Sequence, residues 1–142
     1  MYLQDWSAQV QSTSDNRLFK TIKYKFEFES YLHLNNRSMR ISIAKIRLSS
    51  NIFYIERGRW GQNKVAIEDR KCNICNELED EYHCLIKCPQ FNNERLGLIP
   101  NFLSNDPTRN NFLAFIKTNN LQEQKNLGLL CLKILKSYRD SL

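Results

Sequence analysis

Glycine and proline are scarce in this chain, with 4 and 3 copies in 142 residues. So few turn-formers argue against a turn-rich all-β chain and favour helices. Long apolar runs are missing, and no stretch approaches the length needed to span a bilayer. The opening residues MYLQDWSAQVQ lack the basic-then-apolar layout of a secretory signal. The expectation is a chain of the nucleus or cytoplasm, not secreted and without a membrane partner, in a reducing compartment where thiols stay free. No glycine-rich loop for phosphates or dinucleotides occurs, and neither does an internal repeat or a low-complexity tract. The one acidic run, NELEDEYH, reads most simply as a solvated loop. No catalytic residue is assigned, and the chain is not expected to be an enzyme on its own.

What the sequence does have is an uneven charge. The net charge is +6. Nine Lys or Arg against three acids between Asn36 and Lys71 account for the whole excess. From Asn76 to Phe91 the balance reverses, with Glu77, Glu79, Asp80 and Glu81 against Lys87. A local basic excess concentrates polyanions, although a solvated charged face is the plain alternative.

Four stretches follow. Residues 1–17 read as a weakly ordered polar arm, with Trp6 able to dock. Residues 18–66 read as a helical basic segment. Leu18, Phe19, Ile22 and Phe26 fall at helical spacings, although YKFEFESY also alternates like a strand. In RSMRISIAKIRL the apolar phase slips at Ala44, which suits a helix packed on both sides. Gly58 and Gly61 bracket Trp60 and mark a turn. Residues 67–95 hold the cysteine cluster, and residues 96–142 read as C-terminal helices. Pro100 and Pro107 frame a connector, and residues 108–118 form a short amphipathic helix. Asn120 then caps a long helix, with Glu123 placed to return the bond. Leu127, Leu130, Cys131, Ile134 and Tyr138 share its apolar face, where Cys131 serves as a buried small hydrophobe.

The cluster CNICNELEDEYHCLIKCP spans residues 72–89 and holds four of the five cysteines. Its spacing is Cys72-x2-Cys75-x7-His83-x4-Cys88. A Cys-x-x-Cys pair turns two sulfurs toward one cation, and two later donors complete a tetrahedron. Thiolates with imidazole suit zinc and not magnesium or calcium. Four protein donors leave no open position, so such a site is structural. A redox Cys-x-x-Cys expects a βαβ setting that is missing here, and an odd cysteine count disfavours a disulfide framework. Ligand identity stays open at this point. Cys84 and Cys88 are four apart, on one face of a helix, which admits a four-cysteine site.

Taken in order, these boxes resemble the C-terminal region of non-LTR (LINE-like) retrotransposon reverse transcriptases. The resemblance rests on Arg47 to Ser49, on Ile55 to Arg59, and on Cys72 to Pro89, with QDWSAQVQ onward similar to the segment leading in. It covers most of residues 4–95. It implies a mainly α fold, a small helical domain with an embedded CCHC zinc knuckle, and the ligand set Cys72, Cys75, His83 and Cys88. Cys84 stands where the family commonly has a large hydrophobe, which keeps the four-cysteine site in play. The polymerase's Tyr-x-Asp-Asp-type motif is not in this chain.

The resemblance further implies a module that follows the polymerase core and grips template RNA or target DNA during target-primed reverse transcription. Its partners would be RNA or DNA and the rest of the reverse transcriptase. Arg47, Arg57, Arg59, Lys64, Arg70 and Lys71 would line a phosphate-contacting surface, with Trp60 stacking on a base. The competing expectation is a zinc-stapled helical protein-interaction module, domesticated or truncated, that docks through the acidic ELEDE loop beside the basic stretch.

Overall fold

A computed structural model describes residues 17–18 and 29–142. The arm expected over 1–17, the docking of Trp6 and the stripe through Phe19, Ile22 and Phe26 lie outside these, apart from Arg17 and Leu18. The described residues are mainly helical, and their strand content is a single antiparallel bridge between Lys71 and Leu78.

Helix α1 (Arg37–Arg47) starts where the Asn36 side chain accepts the Met39 N–H at 3.0 Å. It buries Ser42, Ile43, Ile46 and Arg47 on one side. Ile41 and Leu48 stay exposed, so α1 packs on one face and not the two its phase slip suggested. Its end is a Schellman turn, with the Ser50 N–H on the Lys45 carbonyl and the Ser49 N–H on that of Ile46. Ser49 takes the left-handed position at φ 54°, where glycine is usual. Its hydroxyl accepts the Leu18 N–H at 3.0 Å, a contact glycine cannot make.

Helix α2 is the single turn Tyr54–Arg57. Short helices α3 (Asn92–Arg95) and α4 (Asn101–Asn105) follow the cysteine cluster, so the connector framed by the prolines carries a helix of its own. Helix α5 (Arg109–Ile116) is capped by Thr108. Helix α6 (Leu121–Asp140) is the longest, and its Asn120 cap accepts the Glu123 N–H at 3.0 Å. The return bond runs through a relay. Glu123 takes the Thr118 hydroxyl, and that hydroxyl accepts the Asn120 N–H.

Helix α6 is the spine. Leu127, Leu130, Cys131, Ile134, Leu135 and Tyr138 are buried along it. It meets α1 at Gly128, where an added Cβ would stand 2.8 Å from that of Met39. At its far end Tyr138 packs edge-on to Phe53, with ring centroids 5.1 Å apart, and tilted against Phe91 at 6.4 Å. Its hydroxyl donates to Glu79 and accepts from Arg57. One aromatic side chain thereby ties α6 to α2 and to the segment bearing the cysteines. A single apolar cluster runs from Leu18 to Tyr138 and includes Cys72, Cys84, Leu85 and Cys88.

Candidate metal centre

The first two cysteines sit on a tight reversal. The Lys71–Leu78 bridge holds its base, the Cys72 N–H donates to the Glu77 carbonyl, and the Asn76 N–H returns to the Cys72 carbonyl. Asn76 adopts φ 57°, a conformation asparagine tolerates better than most residues. Of the other two donors, His83 opens a π-helical turn, His83–Lys87, and Cys88 caps its end. Asp80 caps this turn by accepting the His83 N–H at 2.9 Å. The Cys88 N–H then reaches back five residues to the His83 carbonyl at 2.7 Å.

That turn explains the His-x4-Cys spacing. On an α-helix, residues five apart point roughly 140° away from each other. A π-turn, with its i to i+5 bonds, places them on one side. Arg95 secures the turn from outside, donating to the carbonyls of Cys84 and Leu85 at 3.0 and 2.7 Å. These are end carbonyls that a short helix leaves without partners.

The consequence is a cluster. One donor atom each from Cys72, Cys75, His83 and Cys88 lies within 4.8 Å of all the others, a grouping that can hold a metal ion. The Cys72 and Cys88 sulfurs are 3.9 Å apart, and all five cysteines of the chain are free thiols. Cys84 is not among the four donors. The same-face argument for Cys84 with Cys88 assumed α-helical phase, and the π-turn shifts that phase. Its thiol is buried, and burial first and the Glu79 charge second raise its pKa well above the ordinary value.

His83 is 2% exposed, yet neither ring nitrogen has a hydrogen-bond partner among the described residues. Nδ1 lies 3.5 Å from the Glu77 carboxylate, within ion-pair reach but outside hydrogen-bond geometry. A buried imidazole without partners carries a desolvation penalty. A cation held amid the donors would remove it. Burial pushes the Cys88 thiol up to about 12, against the Gln90 N–H that donates to it, and burial raises Cys75 as well. Crowded protonated thiols become favourable ligands only when a cation replaces their protons.

The acidic run is not a solvated loop. Glu79, Asp80 and Glu81 are all buried, and Glu77 alone of the four acids is exposed. Glu81 takes both ends of its carboxylate to Arg17 at 2.7 and 2.8 Å and accepts from Asn51. Asp80 pairs with Arg109 at 2.9 Å, and Glu79 accepts the Tyr54 N–H and the Tyr138 hydroxyl. Buried carboxylates need such partners, and the helices on either side supply them. Docking through an acidic ELEDE face therefore loses its surface.

The basic residues divide in two. Arg47 is buried, bonded to the Ile116 carbonyl and to Glu29, and stacked over Tyr31. Arg70 is buried beneath Gly58 and donates to the Val65 and Ile55 carbonyls. Arg57 is half-buried on Tyr54 and Tyr138. These three arginines brace the fold, and Arg47 and Arg70 present no phosphate-contacting surface. Arg59, Trp60, Lys64 and Lys71 are exposed on the chain leading into Cys72, although Arg59 also donates to the buried Glu56 carboxylate at 2.9 Å. Sequence reasoning passed over Asp80, Glu77 and Arg95 as supports of the cluster. The Asp80-x-x-His83 spacing, that of an N-cap with the residue it bonds, was the available signal for the first.

No helix among the described residues is long and apolar enough to cross a membrane. Compared with protein-family models, with curated proteins and with solved structures, the chain matches none.

Proposed function

We propose that the chain is a zinc-stapled nucleic-acid-binding module, the C-terminal region of a non-LTR retrotransposon reverse transcriptase. The observation that carries the zinc reading is His83, buried beside three thiols with neither ring nitrogen hydrogen-bonded among the described residues. Zinc–sulfur bonds of about 2.3 Å at tetrahedral angles put sulfurs about 3.8 Å apart, and Cys72 and Cys88 stand at 3.9 Å. Soft thiolates with imidazole select zinc over hard cations. With Cys72, Cys75, His83 and Cys88 as a closed CCHC knuckle, the ion supplies folding free energy and no catalysis.

The knuckle sets the direction of the chain that enters it. Arg59, Lys64 and Lys71 are exposed along that chain, with Trp60 among them. Cations so placed release counterions when they meet phosphates. The order of the Arg47–Ser49, Ile55–Arg59 and Cys72–Pro89 boxes supports the retrotransposon reading, with template RNA or target DNA as the ligand.

Two measurements test the proposal separately. Mass spectrometry under native conditions is expected to find one zinc per chain, and a metal-free folded protein would end the zinc reading. Binding of single-stranded RNA, structured RNA and duplex DNA is to be measured at two salt concentrations. Changing Arg59, Lys64 and Lys71 together to Ala is expected to lower the salt slope by about two to three. An unchanged slope, or no binding at low salt, would end the nucleic-acid reading. Arg47, Arg57 and Arg70 are left intact because their loss would disturb the fold.

A further inference from the structure

A groove of about 540 Å³ opens where α1 and α6 both end, beside the turn at Ser49 to Ile52 and the Trp60 loop. Its size falls within the range of small-ligand pockets. Lys45, Arg59 and Arg139 line it, together with Trp60, Ile52 and Leu135. No acidic side chain does. Trp60 is 48% exposed, and Lys45, Arg59 and Arg139 are exposed as well. Neither Lys45 nor Arg139 makes a side-chain ion pair among the described residues. Arg59 already pairs with Glu56 at 2.9 Å, so Lys45 and Arg139 carry the unpaired positive charge, and it exceeds the roughly half negative charge that each helix C-terminus brings.

We propose that this groove is a subsite for single-stranded nucleic acid, with one base stacked on Trp60 and the flanking phosphates on Lys45 and Arg139. The proposal rests on the nucleic-acid reading above and adds a location and a strand preference to it. An indole face beside cations is the pairing that single strands require, since a base must be unstacked to meet it. Ile52 and Leu135 provide an apolar floor for the base edge. A second groove, about 410 Å³, lies beside Cys72 on the other side of the α6 terminus. It is a poorer fit, because Glu79 lines it and Arg57 there is already bonded to Tyr138.

The test compares two strands of equal charge, oligo(dT) of about eight nucleotides and the corresponding abasic strand. A Trp6→Phe background makes Trp60 the reporter of indole emission, since the chain has two tryptophans. Oligo(dT) is expected to quench that emission and to bind more tightly than the abasic strand. Trp60→Ala is expected to weaken oligo(dT) binding roughly tenfold and to leave abasic binding unchanged, with Trp60→Phe retaining most of the affinity. Lys45→Ala with Arg139→Ala is expected to weaken both strands. Zinc content and helicity of each variant guard against unfolding. If both strands bind alike, Trp60 emission stays constant and the Lys45/Arg139 variant binds as before, the subsite is wrong while nucleic-acid binding stands. If neither strand, duplex DNA nor structured RNA binds, both readings fall together.

Discussion

Between α1 and α6 the contact is made by carbon. Met39 lies on Gly128, and Ile43, Ile46, Leu127, Leu130, Cys131 and Ile134 are buried around the crossing. Across residues 71–95 much of the contact is made by heteroatoms instead. Three thiols and an imidazole converge, three carboxylates are buried beside them, and Arg95 and Arg109 hold carbonyls and Asp80 in place. Carbon contacts need nothing added, since burial itself is favourable. Heteroatom contacts are favourable only when every member is satisfied, and His83 is not. The two regions share one core, yet only one of them gathers donors that could hold a metal ion.

Removing that ion should separate them most sharply. Structural zinc is worth on the order of 10 kcal/mol in small zinc domains. With chelator, or in Cys88→Ser, amide exchange over Cys72–Cys88 is expected to lose its protection, while α6 keeps its own and most helical circular dichroism survives. If the Cys72–Cys88 amides stay protected in chelator, the contrast is mistaken and the segment folds on packing alone.

The converse change attacks the carbon side. Gly128→Val sets a branched side chain where even a bare Cβ would lie 2.8 Å from that of Met39. Overpacking of this kind costs about 2 to 3 kcal/mol. Urea unfolding should show that loss with zinc content unchanged. A variant as stable as the parent would mean that the helices do not cross as closely as stated.

Glu81 sits where the regions join, 1% exposed and bonded to Arg17 and Asn51. Glu81→Gln leaves Arg17 without its main partner. Arg17 is partly exposed, so water offsets some of the cost, and about 1 to 2 kcal/mol is expected. Adding Arg17→Met to Glu81→Gln should recover part of it. No coupling between the two positions in that cycle would show that the pair contributes little.

The same division decides what could be read from the sequence. Carbon periodicity was legible. The α6 face, its Asn120 cap and the Thr108 helix follow from spacing alone, because a 3.6-residue period marks which side is buried. Donor spacing was legible as a group, because two sulfurs on a Cys-x-x-Cys turn face one point. Which residue joined them was not, since the phase of residues 83–88 depends on a π-turn that no local propensity announces. The acids of ELEDE misled for a related reason. Charge in a sequence reads as exposure until the partner cations are known, and Arg17 and Arg109 are distant in the chain. The arginine-rich stretch misled likewise, because Arg47 and Arg70 spend their donors on backbone carbonyls.

Cys131 offers the finest division, a thiol on the carbon side. It is fully buried on α6, and burial raises its pKa above the ordinary value of 9.0. The folded chain thus keeps this proton at pH values where the unfolded chain has lost it. The associated stability is complete below pH 9 and declines as pH rises above it. Between pH 8 and 10 the loss is about 1.4 kcal/mol for one such group. Zinc-loaded protein is the sample for this measurement, since an ion held by the cluster would already have displaced its thiol protons. Tyr138 is also raised by burial, but it titrates equally in parent and variant. Cys131→Ala should therefore start less stable at pH 8, through the small cavity it leaves, and then lose about 1.4 kcal/mol less than the parent by pH 10. Parallel losses in the two proteins would place water at this thiol, and with it in the middle of the α6 core.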